Sequence, residues 1–174
     1  MPSFARAFTL ASVMAFAIIS VGSLGCSRSA QLVNETAPHT KLATYGSAAL
    51  EVVADALPSD ARADLSQELE AQLSDSKLFT RIWAPGSRAT ADVTLRVTLL
   101  RVLREEAVEV AFRVELLEPR RDRALVARFD VKANSKTTGI AGGGGAAYDF
   151  EDKTERAIEK AVRAITAHLE TYAQ

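Results

Sequence analysis

Cysteine is nearly absent from this chain: Cys26 is the only one in 174 residues. An exported domain held by disulfides carries cysteines in even sets, so that framework is excluded, and no second thiol exists for a paired-thiol metal site. Histidine is almost as scarce, with only His39 and His168. No metal-ligand spacing can be assembled, and neither a metal nor a cofactor is expected. An excess of one charge is missing too. The 21 Lys+Arg against 22 Asp+Glu give no basic surplus of the kind nucleic-acid binding needs, so no nucleic-acid partner is expected. A long hydrophobic run is lacking as well. The charge-free stretch Ala7 to Val21 would rise about 22 Å as a helix, short of a hydrocarbon core of about 30 Å. There is no internal repeat and no Gly-x-Ser-x-Gly nucleophile elbow.

What the N-terminus does contain is an export leader. Arg6 and the amine form a short positive region, the apolar stretch follows, and small residues lead to Ser23-Leu24-Gly25-Cys26. Those four residues resemble the lipobox of bacterial lipoproteins. Gly25 and Cys26 match it, while Leu24 stands one place later than the usual leucine. The resemblance implies cleavage after residue 25, a signal peptide over residues 1–25, and three acyl chains (palmitate among them) on Cys26. The protein is then anchored to a membrane through Cys26. Each buried CH₂ contributes about 0.8 kcal/mol and one chain alone holds only reversibly, so three make detachment negligible. Ser27 in place of Asp implies sorting to the outer membrane, facing the periplasm, in a Gram-negative host.

Residues 26–174 suffice for one domain with a core of its own. Residues 26–41 are polar and without periodicity, and are expected to tether the domain. If flexible they span roughly 20 Å, although an extended arm packed along the domain is the alternative. The globular domain is expected over residues 42–174. Ala48 to Ala54 reads as a strand. Pro58-Ser59-Asp60 starts a helix with Ser59 as N-cap, and Ala61, Leu65, Leu69 and Leu73 form its apolar stripe to about Ser76. Leu78, Phe79, Ile82 and Trp83 read as an apolar link under the sheet, ended by Pro85-Gly86-Ser87.

Three segments then alternate with period two. Asp92–Val102 buries Val93, Leu95, Val97 and Leu99; Leu100 and Val102 break the phase, so a bulge or a two-sided end is expected there. Ala107–Leu117 buries Val108, Val110, Phe112, Val114 and Leu116. Ala124–Ala133 buries Leu125, Ala127, Phe129 and Val131. Short connections make these an antiparallel meander, with Ala124–Ala133 as an edge open to strand addition beside a loop at Gly139–Gly145. A last helix, about Asp149 to Tyr172, carries Ile158, Ala161, Val162, Ile165, Leu169 and Tyr172 on one stripe. The expected fold is α+β: a two-layer sandwich, mainly antiparallel, in the order β-α-β-β-β-α, with two helices on one face.

No segment carries a catalytic constellation. The run Gly142 to Gly145 is followed by Ala146-Ala147-Tyr148 rather than Lys-Ser or Lys-Thr, so a loop explains it and a phosphate cradle does not. His39 falls in the tether, and His168 sits at the rim of the last helix's stripe, where packing accounts for it. Carboxylates alternate with arginines on wet strand faces, as solvated residues do. Arg120, Arg121 and Arg123 form the one local basic cluster, a candidate contact for anionic headgroups or an ordinary charged turn.

The leucine stripe, the segment Ala91-Asp92-Val93-Thr94-Leu95-Arg96-Val97 and the helix around Ala157–Leu169 are similar to a family of uncharacterised bacterial lipoproteins. Their globular part, a domain of unknown function, resembles the N-terminal domain of TolB in layout. The same plan is similar to the lipopolysaccharide-assembly lipoprotein LptE. The resemblance implies a non-catalytic envelope module that binds an envelope protein partner, with glycolipid handling as the alternative and an envelope enzyme as the remote one. It assigns no residue beyond Cys26.

Overall fold

The period-two segments form the centre of a six-stranded sheet. A computed structural model of the chain describes residues 30–38, 41–83, 91–105, 107–119, 123–136 and 150–173. Strands β1 (Ala30–Thr36), β2 (Ser47–Val53), β3 (Arg81–Trp83), β4 (Val93–Arg104), β5 (Val108–Glu118) and β6 (Ala124–Asn134) lie in the order β1-β6-β5-β4-β2-β3. Helices α1 (Ser59–Ser76) and α2 (Phe150–Thr171) pack on one face. The fold is α+β, with a mostly antiparallel sheet.

Alternation decides which face the helices cover. Val93, Leu95 and Val97 on β4, Val108 to Leu116 at every second position on β5, and Ala127, Phe129, Val131 and Ala133 on β6 are all buried. Leu65, Leu69 and Leu73 of α1 and Ala157, Ala161, Val162, Ile165 and Leu169 of α2 close over them as one core. Phe112 and Phe129 are the largest fully buried side chains. Of the bulge and the two-sided end expected at Leu100 and Val102, the bulge is present, since the β4–β5 register shifts between Leu99 and Arg101.

Five expectations need correction. Residues 30–36, assigned to the tether, pair antiparallel with β6, Ala30 opposite Ala133 and Val33 opposite Asp130, so the extended-arm alternative holds there. For the same reason Ala124–Ala133 is an interior strand. The sheet edges are β1 and β3, because Arg81–Trp83, read as a link, runs parallel to β2. The element order therefore gains β1 and β3 over the one expected. Leu125 is 42% exposed: a second register shift, between Leu116 and Leu117, sets it opposite Leu117 and turns it off the core face. Finally, Ser59 is the first helical residue of α1. Pro58 occupies the cap position without a side-chain hydrogen bond, and its carbonyl accepts from the Arg62 N–H at 3.0 Å.

Strand β2 pairs parallel to β4 from Ala48/Val93 to Val53/Thr98. Parallel neighbours need a crossover, and α1 supplies it. Asp92 pins the start of this register. Its Oδ2 accepts from the Gly46 and Ser47 N–H groups and from Ser47 Oγ, at 3.1, 3.0 and 2.9 Å.

Candidate functional site

The sheet's outer face is not the simple wet surface that alternation suggests. Across four strands, Glu51, Arg96, Glu115 and Arg128 occupy one row of alternating sign. Arg96 Nη2 donates to Glu51 at 3.1 Å. In the next row Arg113 grips Asp130 with two bonds, Nε to Oδ1 at 2.9 Å and Nη2 to Oδ2 at 3.2 Å, and Asn34 Nδ2 adds a third at 3.0 Å. Burial pushes the Asp130 carboxyl up. The hydrogen bonds from Arg113 and Asn34 and the charges of Arg113 and Arg128 outweigh that, holding it below the usual carboxylate range. Asn34 reaches Asp130 from a positive φ of 55° at the irregularity in β1. That bond joins β1 to the sheet through side chains as well as backbone.

A second clamp joins β1 to α2. Tyr172 Oη donates to Glu35 Oε1 at 2.8 Å, and His168 Nε2 lies 3.0 Å from that hydroxyl and 3.2 Å from the same carboxylate oxygen. The network assigns the proton of neutral His168 to Nε2, because the Tyr172 hydrogen already points to Glu35. Phe129 packs edge-on against both rings, with centroids 4.5 and 6.1 Å away. Burial lowers the His168 pKa despite the nearby Glu35 charge, and it raises that of Tyr172. Burial therefore favours the neutral form of both groups, and their contacts with Glu35 tie β1 to the end of α2. His168 is thus a packed histidine, as its position on the stripe implies.

A cleft of about 680 Å³ lies where the N-terminal ends of α1 and α2 run side by side. Leu57, Ala61, Leu65, Val102 and Ile158 are its apolar part. Asp60, Asp64 and Glu68 come down α1 at four-residue spacing. Glu151, Glu155 and Glu159 do the same on α2, and Asp152 joins them. Seven carboxylates thus line the cleft against one guanidinium, Arg104, in a chain whose net charge is only −1. Positive helix ends favour Asp60, Glu151 and Asp152 in the first turns. Asp64 and Glu155 lie beyond that help, and each same-sign pair four residues apart costs about 0.2–0.5 kcal/mol. No group of side chains able to hold a metal ion is present among the described residues.

Beside the cleft, β4 has a neighbour on one side only among the described residues. Strand β2 leaves β4 at Thr98, and no described strand takes its lane alongside residues 99–104. Leu100 and Leu103, 44% and 39% exposed, stand in this stretch.

Of the residues singled out in the sequence, Cys26, His39, Arg120, Arg121 and Gly139–Gly145 lie outside the described residues. Arg123 is exposed at a positive φ of 59° in the β5–β6 turn. The cleft carboxylates were legible only as the polar sides of two helices. Their shared four-residue spacing was the available signal.

No helix among the described residues is long and apolar enough to cross a membrane. No family model matches the chain, and no curated protein matches it in sequence. Among solved structures, the PelC dodecamer from Paraburkholderia phytofirmans is similar, with a TM-score of 0.52 and 13% identity over 79% of this chain and 97% of that one. Protein XCC0632 from Xanthomonas campestris follows at 0.44 and 16%, over 77% and 84%. A minor lipoprotein from Acinetobacter baumannii follows at 0.39 and 12%, over 74% and 94%. What the PelC likeness shows is the fold.

Proposed function

We propose that this chain is a lipid-anchored envelope module that binds or assembles with a protein partner and is not an enzyme. The observation that carries the reading is the place of β1. It begins at Ala30, four residues past Cys26, and is built into the sheet by pairing with β6 and by the Asn34 and Glu35 bonds. An anchor on Cys26 reaches the sheet within about 14 Å of fully extended chain. The domain then lies close against the bilayer, with its Ala30 end nearest. The Arg123 turn lies about 30 Å away along β6, at the far end of the sheet. A role for Arg123 at the anchoring membrane is therefore not favoured.

Support for protein binding comes from the open stretch of β4 and from the fold it shares with a protein that is described as a dodecamer. The reading is tested on the native protein extracted in detergent. Its N-terminal peptide is expected to begin at Cys26 with acyl mass, and Cys26→Ala is expected to release the domain from membranes. Crosslinking in the intact envelope is expected to join the domain to a protein. Membrane retention of Cys26→Ala together with an unacylated native N-terminus would overturn the anchor. Specific lipopolysaccharide binding lost on changing Arg120, Arg121 and Arg123 would replace the protein partner with a glycolipid.

A further inference from the structure

We propose that β4 residues 99–104 and the acidic cleft beside them dock an extended, cationic segment of a partner polypeptide as an added strand. This inference rests on the binding-module reading and names the chemistry of its partner. Three observations converge on it. The first is the vacated lane. β2 accompanies β4 only to Val53/Thr98, and β4 continues for six residues with β5 on one side and no described strand on the other. Six residues span about 20 Å, the length of an ordinary strand, and backbone groups along such an edge accept another chain.

The second observation is apolar. Leu100 and Leu103 are among only four large hydrophobic side chains that are strongly exposed among the described residues, and both fall within these six positions. Val102, also in the stretch, lines the cleft with Leu57, Leu65 and Ile158. An incoming strand thus meets apolar surface as well as backbone.

Charge is the third, and it selects the occupant. Asp64 and Glu155 face the same cleft from two parallel helices, with like charges four residues away on each. Val102 faces the cleft and Leu103 the outer side of the sheet, so a segment that alternates Lys or Arg with apolar residues lays its cations along the carboxylates and its apolar side chains beside Leu103. Anionic headgroups are repelled by the same wall. A second copy of this chain is a poorer occupant, because its edge strand β1 carries no Lys or Arg and its edge strand β3 carries only Arg81, stacked over Trp83 at 5.0 Å.

The test uses the lipidated full-length protein in detergent and a synthetic peptide of alternating lysine and valine as probe. Lysine–glycine and glutamate–valine peptides serve as controls. The lysine–valine peptide is expected to bind in a salt-sensitive manner and to slow amide hydrogen exchange across residues 99–104. Its affinity is expected to fall at least tenfold in the double variant Asp64→Asn, Glu155→Gln, whose exposed positions leave the fold intact by circular dichroism. Equal binding of the lysine–glycine peptide, or binding without protection at 99–104, would overturn the proposal. So would unchanged affinity in the double variant, or protection of the same amides by phosphatidylglycerol vesicles but not by the peptide. A crosslinked native partner that binds the double variant as tightly as the wild type retires this site and leaves the module reading standing.

Discussion

Replacing Asp130 by alanine tests whether the outer face of the sheet is held together by its charges. Asp130 is 5% exposed and takes two bonds from Arg113 and one from Asn34. Removing one member of a buried ion pair costs about 3–5 kcal/mol. The Arg113 side chain is 37% exposed, so solvent recovers part of its charge, and about 2–3 kcal/mol is the expected loss. Urea unfolding reads it as a fall in midpoint with an unchanged slope. A combined Asp130→Leu, Arg113→Met variant should return to within about 1 kcal/mol of wild type, because no uncompensated charge remains. The pH dependence has a definite sign. A carboxylate held below its usual range contributes stability above the unfolded value of about 3.9 and loses it as pH falls through the folded one. The gap between wild type and Asp130→Ala should therefore narrow as pH drops from neutral below 4. A loss under about 0.5 kcal/mol at pH 7, or a gap that does not change with pH, would refute the reasoning.

Other outcomes follow from burial and from the second clamp. Phe112, fully buried between Leu99 and Val131, should cost about 3–5 kcal/mol as alanine in the same urea assay, and a cost below 1 would place the core elsewhere. Leu125→Lys should change stability by no more than about 0.5 kcal/mol, because the register shift has already placed this side chain in solvent. For His168, burial favours the neutral ring, so its contribution is present above the unfolded pKa of about 6.5 and is lost as pH falls through the lower folded value. Thermal melts between pH 7 and pH 5 should show that slope in the wild type and a shallower one in His168→Leu.

Both helices and the three central strands were legible because each hides one face, and burial of that face forces the spacing. Val108 to Leu116 alternate without a break, and Leu65, Leu69 and Leu73 repeat at helical spacing. Strand β1 was not legible for the opposite reason. As an edge strand with one neighbour and an irregularity at Asn34, it buries little, and Gln31 and Asn34 to Thr36 read as linker. Three residues of β3 are too few to show a period. Leu125 fits the alternation of its neighbours, and only the backbone register reveals the extra residue that turns it outward. The parallel pairing of β2 with β4 rests on the polar bonds of Asp92 and on where the α1 crossover returns the chain; hydrophobic pattern reveals the helix but not that placement. The cleft stayed hidden because carboxylates on a helix's polar side look solvated until a second helix brings its own beside them.

Hydrogen exchange at the amides of residues 31–33, measured on the lipidated protein in vesicles, tests the central claim most directly. If the anchor is coupled to the sheet through β1, amides of this strand bonded to β6 exchange far more slowly than free chain, and Asn34→Ala or Glu35→Ala speeds their exchange. Exchange at the rate of an unstructured peptide in the wild type would mean that residues 26–41 are a free tether, and the close-held domain proposed above would be wrong.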